Sequence, residues 1–153
     1  NGLMVTALAL LEQGAVRSIG ILDCDVHYGN GTDDIVKRLG VQGIRHHTMG
    51  AHFRHRDEAS LFEQWLQRAI EDCLGVDLLI YQAGADPHVN DPLGKVLTGV
   101  QMAKRDHAVF SAFQGRPLVW NLAGGYQRDV NGGIEPVLKL HRTTAQIQNI
   151  YQP

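Results

Sequence analysis

The sequence predicts an α/β fold: a mostly parallel sheet with helices on both faces. Three observations predict it. Strand-like apolar runs alternate with helical stretches along the chain. The runs 18–23, 76–81 and 118–122 each give way to a polar, Gly-rich segment. The composition, 44% hydrophobic and 20% charged over 153 residues, is that of a globular domain. Repeated strand-then-helix order demands crossover connections, and these make parallel pairs covered on both faces.

Taken in order, residues 3–12 read as a helix, 18–23 as a strand, 32–39 as a helix, and an apolar stretch starts near Ile44. The residues 50–60 form the longest polar, breaker-containing stretch and read as a connection. Leu61, Phe62, Trp65, Leu66, Ala69, Ile70 and Cys73 then recur at three-and-four spacing, the apolar stripe of a helix leading into strand 76–81. A helix near 102–113 leads into strand 118–122. No repeat, linker or low-complexity segment divides the chain, so 1–153 reads as a single domain. A chain of this length buries roughly 68–70% of its unfolded surface, enough to hold a core without disulfides or a structural metal.

Fourteen Lys and Arg against sixteen Asp and Glu leave a net charge of −2, with no basic cluster, which speaks against a nucleic-acid partner. No apolar run reaches membrane-span length, and the first residues lack the features of a signal peptide. Cys24 and Cys73 are too few for a disulfide scaffold and point to a reducing, intracellular and hence cytoplasmic setting. Asn30-Gly31-Thr32, formally a glycosylation sequon, reads there as an Asn-Gly turn. The absence of an initiator Met suggests a piece of something longer.

The three Gly-rich segments follow strand ends, where ligands bind in open parallel sheets, so they are expected to converge. In the first, Asp23, Asp25 and His27 alternate, and extended geometry sets them on one side with Cys24 and Val26 on the other. Alone, this pattern equally describes a turn, a helix cap and a loop histidine. Asp86, just past strand 76–81, adds a second carboxylate. Asp25, His27 and Asp86 then make three ligands for a divalent ion with open positions for water and substrate, the pattern of a catalytic site. Zn²⁺ fits, with Fe²⁺ or Mn²⁺ as alternatives. Two carboxylates cancel the charge of the ion, so a separate general base is expected. Asp23 serves beside the metal, orienting a histidine or holding a second cation. Gly124 and Gly125 permit a tight turn before Tyr126, whose hydroxyl is a candidate donor to a developing oxyanion.

The run Asp23-Cys24-Asp25-Val26-His27-Tyr28-Gly29-Asn30-Gly31-Thr32 resembles, together with Ala83-Gly84-Ala85-Asp86-Pro87-His88, Asp91-Pro92-Leu93-Gly94 and Gly124-Gly125-Tyr126, the successive motifs of the histone deacetylase superfamily. That superfamily includes bacterial acetylpolyamine amidohydrolases. The resemblance runs from Asn1 to about Ile134. It implies an arginase-like α/β fold and a zinc-dependent amidohydrolase acting on acetylated lysine, a polyamine or another small acylated amine. Asp25, His27 and Asp86 would ligate zinc and Tyr126 would stabilise the oxyanion. Asp23 would sit at a potassium site and orient a catalytic histidine. Asn30 stands where branches of the family carry Asp or Asn, Gly124 and Gly125 shape the tyrosine loop, and His88 lies near the pocket and off the metal.

Two departures accompany the resemblance. Tyr28 replaces a second His that commonly follows the zinc-binding one. The family's paired catalytic histidines, upstream of a Phe-Asn segment that Asn1 continues, are missing, which suggests the C-terminal portion of a catalytic domain, inactive or weakly active alone. His46-His47 follows the first motif and is not that pair. His52 and His55, beside Arg54 and Arg56, read as solvated, and His107 and His141 as residues on helical faces. Competing readings are a non-catalytic module that binds metal or acylated amines and, more remotely, an arginase-like ureohydrolase. An exposed sheet edge in such a chain invites pairing with a second copy, a homo-oligomer.

Overall fold

Asn1 accepts a hydrogen bond from the Met4 amide and caps the first helix, α1 (Gly2–Glu12); its amide also donates to Thr32 Oγ1 in α2 (Asn30–Leu39). Between them lies β1 (Ile19–Asp23), and after α2 comes β2 (Ile44–Thr48). The remaining elements of this computed structural model, which describes residues 1–152, are α3 (Ala59–Cys73), β3 (Leu78–Gly84), α4 (Gly99–Ala112), β4 (Leu118–Ala123) and α5 (Glu135–Tyr151).

The four strands pair in the order β2-β1-β3-β4, every pair parallel. Alternation along the strands splits the core in two. Ile19, Ile21, Leu78 and Ile80 pack with Met4 and Ala7 of α1, and with Ile35 and Val36 of α2. Leu22, Leu79, Tyr81 and Ala83 face the other way, onto Phe62, Leu66, Ala69 and Ile70 of α3, Val109 and Phe110 of α4, and Ile147 of α5. Coverage of both faces is why the central strands β1 and β3 read as continuous apolar runs. The predicted fold class is the observed one. Among the described residues, no helix is long and apolar enough to cross a membrane.

Several boundaries differ from those expected. The third strand is Leu78–Gly84 and not 76–81: Val76 closes a turn onto Cys73, while Gln82, Ala83 and Gly84 stay in register with Asn121, Leu122 and Ala123. Its polar end is held by a neighbouring strand, which hydrophobicity does not report. The connection 50–60 takes in the end of one 3-10 turn, Met49–Ala51, all of another, Arg56–Glu58, and the first residues of α3. A capping box between Thr98 and Gln101 starts α4 three residues before Met102. The C-terminal α5, not delimited from the sequence, lies along α4 and buries Val137, Thr144 and Ile147.

Candidate active site

The carboxyl ends of β1, β3 and β4 lie side by side, and the three Gly-rich segments leave the sheet there. Asp25 Oδ1 accepts the His27 backbone N–H at 2.8 Å, a local turn that folds the imidazole back over Asp25. His27 Nδ1 then lies 2.8 Å from Asp25 Oδ1 and 2.9 Å from Asp86 Oδ2. Asp86 reaches this point from beyond β3, anchored by the Val26 N–H on its Oδ1 at 3.1 Å. Cys24 and Val26 turn into the core while Asp25 and His27 turn outward.

The third segment closes over Asp86. Ala85 N–H donates to Ala123 O at 2.8 Å, bringing Gly124 against the carboxyl group. A Cβ on Gly124 would stand 2.5 Å from Asp86 Cγ, and its φ of +56° is one that side chains disfavour. At Gly125, φ is +103° and a Cβ would meet Val137 Cγ1 at 2.5 Å. Tyr126 follows. Its N–H donates to Asp91 Oδ2 at 2.7 Å, and Asp91 Oδ1 accepts the Leu93 N–H, so one buried carboxylate ties two loops. The Tyr126 ring meets His27 edge-on, centroids 6.1 Å apart.

Asp25, His27 and Asp86 offer ligand atoms within 4.8 Å of one another, the only such group of three among the described residues. Asp86 is fully buried, yet its Oδ2 accepts no hydrogen bond: the approach of His27 Nδ1 is short but not aligned as one. Burial, followed by the charge of Asp25, pushes the Asp86 carboxyl up to about 7. For His27, burial opposes protonation, but the hydrogen bond and charge of Asp25, joined by Asp86, leave its value raised. Both shifts express one condition, two carboxylates facing each other with a single imidazole between them. A divalent cation fits that donor set, because it meets both charges and the orphaned oxygen together.

The other predicted residues lie around this trio. Asp23 is buried outside it; Oδ1 accepts from the Asp25 N–H and from Gln82 Nε2, while burial pushes its carboxyl up to about 6. Asn30 is exposed at the start of α2. His88 turns from the trio to Gln127, 3.0 Å away. The adjacent pair on β2 is engaged elsewhere, His46 Nδ1 with Asp33 at 2.6 Å and His47 Nε2 with Asp72 at 2.9 Å. Burial raises the Tyr126 phenol, with Asp86, Asp25 and Asp91 adding to it, so the hydroxyl keeps its proton at neutral pH.

Sequence reasoning missed the support beneath the site. Arg105, fully buried on α4, donates to Gly84 O at 2.7 Å and Cys24 O at 3.4 Å, the carbonyls just ahead of the loops that carry Asp25 and Asp86. Asp106 Oδ1 accepts from Arg105 Nε at 2.8 Å and from Tyr81 OH at 2.5 Å, and its Oδ2 accepts from Thr144 Oγ1 at 2.6 Å. The signal was present: Arg105 and Asp106 fall between Met102 and Val109-Phe110, at spacing reserved for the core.

No protein-family model matches the chain. It is 27% identical over 166 residues to an uncharacterized protein of Picosynechococcus sp., covering 96% of this chain and 55% of that protein. It is 36% identical over 95 residues to the acetylpolyamine amidohydrolase of Mycoplana ramosa, covering 62% of this chain and 24% of that one. The chain thus spans about half the length of the first relative and a quarter of the second. The acetylpolyamine aminohydrolase from Burkholderia pseudomallei superposes on 90% of the chain, and on 46% of its own, with a TM-score of 0.68 at 16% identity. The histone deacetylase Clr3 covers 100% of this chain over 30% of its own, again with a TM-score of 0.68 at 16% identity. In fold over nearly its whole length, and in sequence over 95 residues, the chain is similar to the histone deacetylase and acetylpolyamine amidohydrolase superfamily, as its three motifs indicate.

Proposed function

We propose that Asp25, His27 and Asp86 hold a divalent ion, zinc first and Fe²⁺ or Mn²⁺ as alternatives, in an amidohydrolase that removes the acyl group from an acylated amine. Acetylated lysine, a polyamine and other small acylated amines share the bond concerned. The observation that carries the reading is the buried Asp86 Oδ2, left without a hydrogen bond beside the imidazole and carboxylate of the same cluster. The name of the Mycoplana ramosa relative supports the reaction class.

The ion would polarise an amide carbonyl and acidify a bound water. The remaining work falls to the chain. Gly124 shapes the loop against Asp86, and Asp91 fixes the backbone of Tyr126 so that its protonated hydroxyl can donate to an oxygen gaining charge. Asp23, its Oδ1 committed to Asp25 and Gln82, is assigned the role of holding potassium or orienting an imidazole. His46 and His47 each pair with a carboxylate through one ring nitrogen on β2, outside the trio, and neither is assigned as the base of this proposal.

The test is the metal content of the purified chain and of Asp25→Ala and Asp86→Ala, by elemental analysis. About one zinc per chain is expected, lost in both variants and kept in Tyr126→Phe. Zinc retained by either carboxylate variant, or none taken up by the folded parent chain, refutes the assignment.

A further inference from the structure

A pocket of about 280 Å³ adjoins the trio, lined by Val26, His27, Tyr28, Gly50, Arg54 and Leu93. It shares His27 with the candidate ion site, so a molecule seated on the ion has room to extend into it. Its walls are apolar or uncharged except for His27 and one cation, Arg54, carried by the stretch between the two 3-10 turns.

The charges around Arg54 are largely committed. Glu58 Oε2 accepts the backbone N–H groups of Arg54 and His55 at 2.6 and 2.8 Å, so this carboxylate holds the loop. Asp91, near Leu93, is buried on the amides of Leu93 and Tyr126. Among the described residues, the arginines in ion pairs are Arg38, Arg45, Arg105 and Arg142, leaving the Arg54 guanidinium free for a ligand. The carboxylates of Asp25 and Asp86 are formally balanced by a divalent ion. What a ligand in this pocket then meets beyond the ion is one planar, forked cation, the geometry suited to a carboxylate.

We propose that this pocket selects acylated amines bearing a carboxylate, with Arg54 as the specificity-determining residue, and disfavours polycationic ones. This rests on the ion-binding reading above and narrows its substrate class. Of the acylated amines considered, a polyamine fits worst: its ammonium groups would face Arg54 with no carboxylate lining this pocket to receive them. An acylated amino acid fits best, because its carboxylate lies a few bonds from the scissile amide.

Two hydroxamates of equal length test this on the zinc-loaded full chain, since the hydroxamate group chelates zinc and only the far end differs. Succinic monohydroxamate ends in a carboxylate, and β-alanine hydroxamate in an ammonium. By calorimetric titration the carboxylate is expected to bind about fivefold tighter at low salt, the scale of one exposed ion pair. Arg54→Glu should reverse that order, and Arg56→Glu, on the same loop but outside the pocket lining, should preserve it. Equal affinities, or no binding of either compound to a chain that holds zinc, overturn the selectivity while leaving the ion site standing. An equal shift in both variants also overturns it, by making the effect a diffuse field. A folded chain that takes up no zinc overturns both readings.

Discussion

Replacing Asp106 with Ala removes the carboxylate bonded to the buried Arg105 guanidinium. Both side chains are 2% exposed or less, so bulk solvent does not screen the charge left behind. Arg105 would keep its carbonyl contacts to Gly84 and Cys24, but its charge would be uncompensated; the Tyr81 hydroxyl would lose its acceptor, and that of Thr144 would be left with only the longer contact to Leu140 O. Breaking a buried pair from one side costs about 3–5 kcal/mol, a large part of the roughly 5–15 kcal/mol that holds a typical domain together. With a urea dependence near 2 kcal/mol per molar, the unfolding midpoint should fall by about 2 M. Equilibrium unfolding followed by far-UV circular dichroism at constant ionic strength measures this. The double variant Arg105→Met with Asp106→Leu removes both charges and fills the space, so it should cost less than Asp106→Ala alone. A loss under about 1 kcal/mol for the single variant, or a double variant worse than the single, would falsify the view that the pair's charges hold this network.

Gly124→Ala sets a methyl 2.5 Å from Asp86 Cγ at a φ of +56°, so the folded variant should lose zinc uptake with the loop displaced. Retention of parental zinc content would show that Asp86 does not depend on that loop. His141 is held below its ordinary value of 6.5 by burial, in contact with the Gly124 backbone. The unfolded chain therefore binds more protons just below that value, and the stability His141 contributes is full above about pH 6.5 and lost as the pH falls through the folded value. His141→Gln should accordingly close its gap to the parent chain, or overtake it, between pH 7.5 and 5.5. A gap in urea midpoint that is independent of pH refutes this.

The legible and illegible parts of the chain divide along a physical line. Periodicity reports which residues meet a hydrophobic surface, so the apolar stripe of α3 and the strands covered on both faces could be read directly. It is silent on backbone pairing. β3 runs past the apolar stretch because Gln82-Ala83-Gly84 owes its extended form to pairing with β4, a partner nearly forty residues away. That Asp25, His27 and Asp86 come together was legible because their segments leave adjoining strand ends, where the polar side chains of a parallel sheet converge.

Arg105 marks a different limit. An Arg-Asp step on a helix is usually a solvated face, and only its position among Met102, Val109 and Phe110 argued for burial. Even then, spacing alone could not say what the guanidinium holds. The fold supplies that answer: two parallel strands stop side by side, and the carbonyls at their ends turn toward α4 just before the chain bends out to Asp25 and Asp86. A buried cation there satisfies carbonyls at the strand ends, and it holds the loops of Asp25 and Asp86 from behind. The geometry of the candidate ion site is therefore set partly by residues that never touch it. That is why the Asp106→Ala variant, if it still folds, should also loosen zinc binding, whereas disrupting the exposed Arg142–Glu135 pair should not.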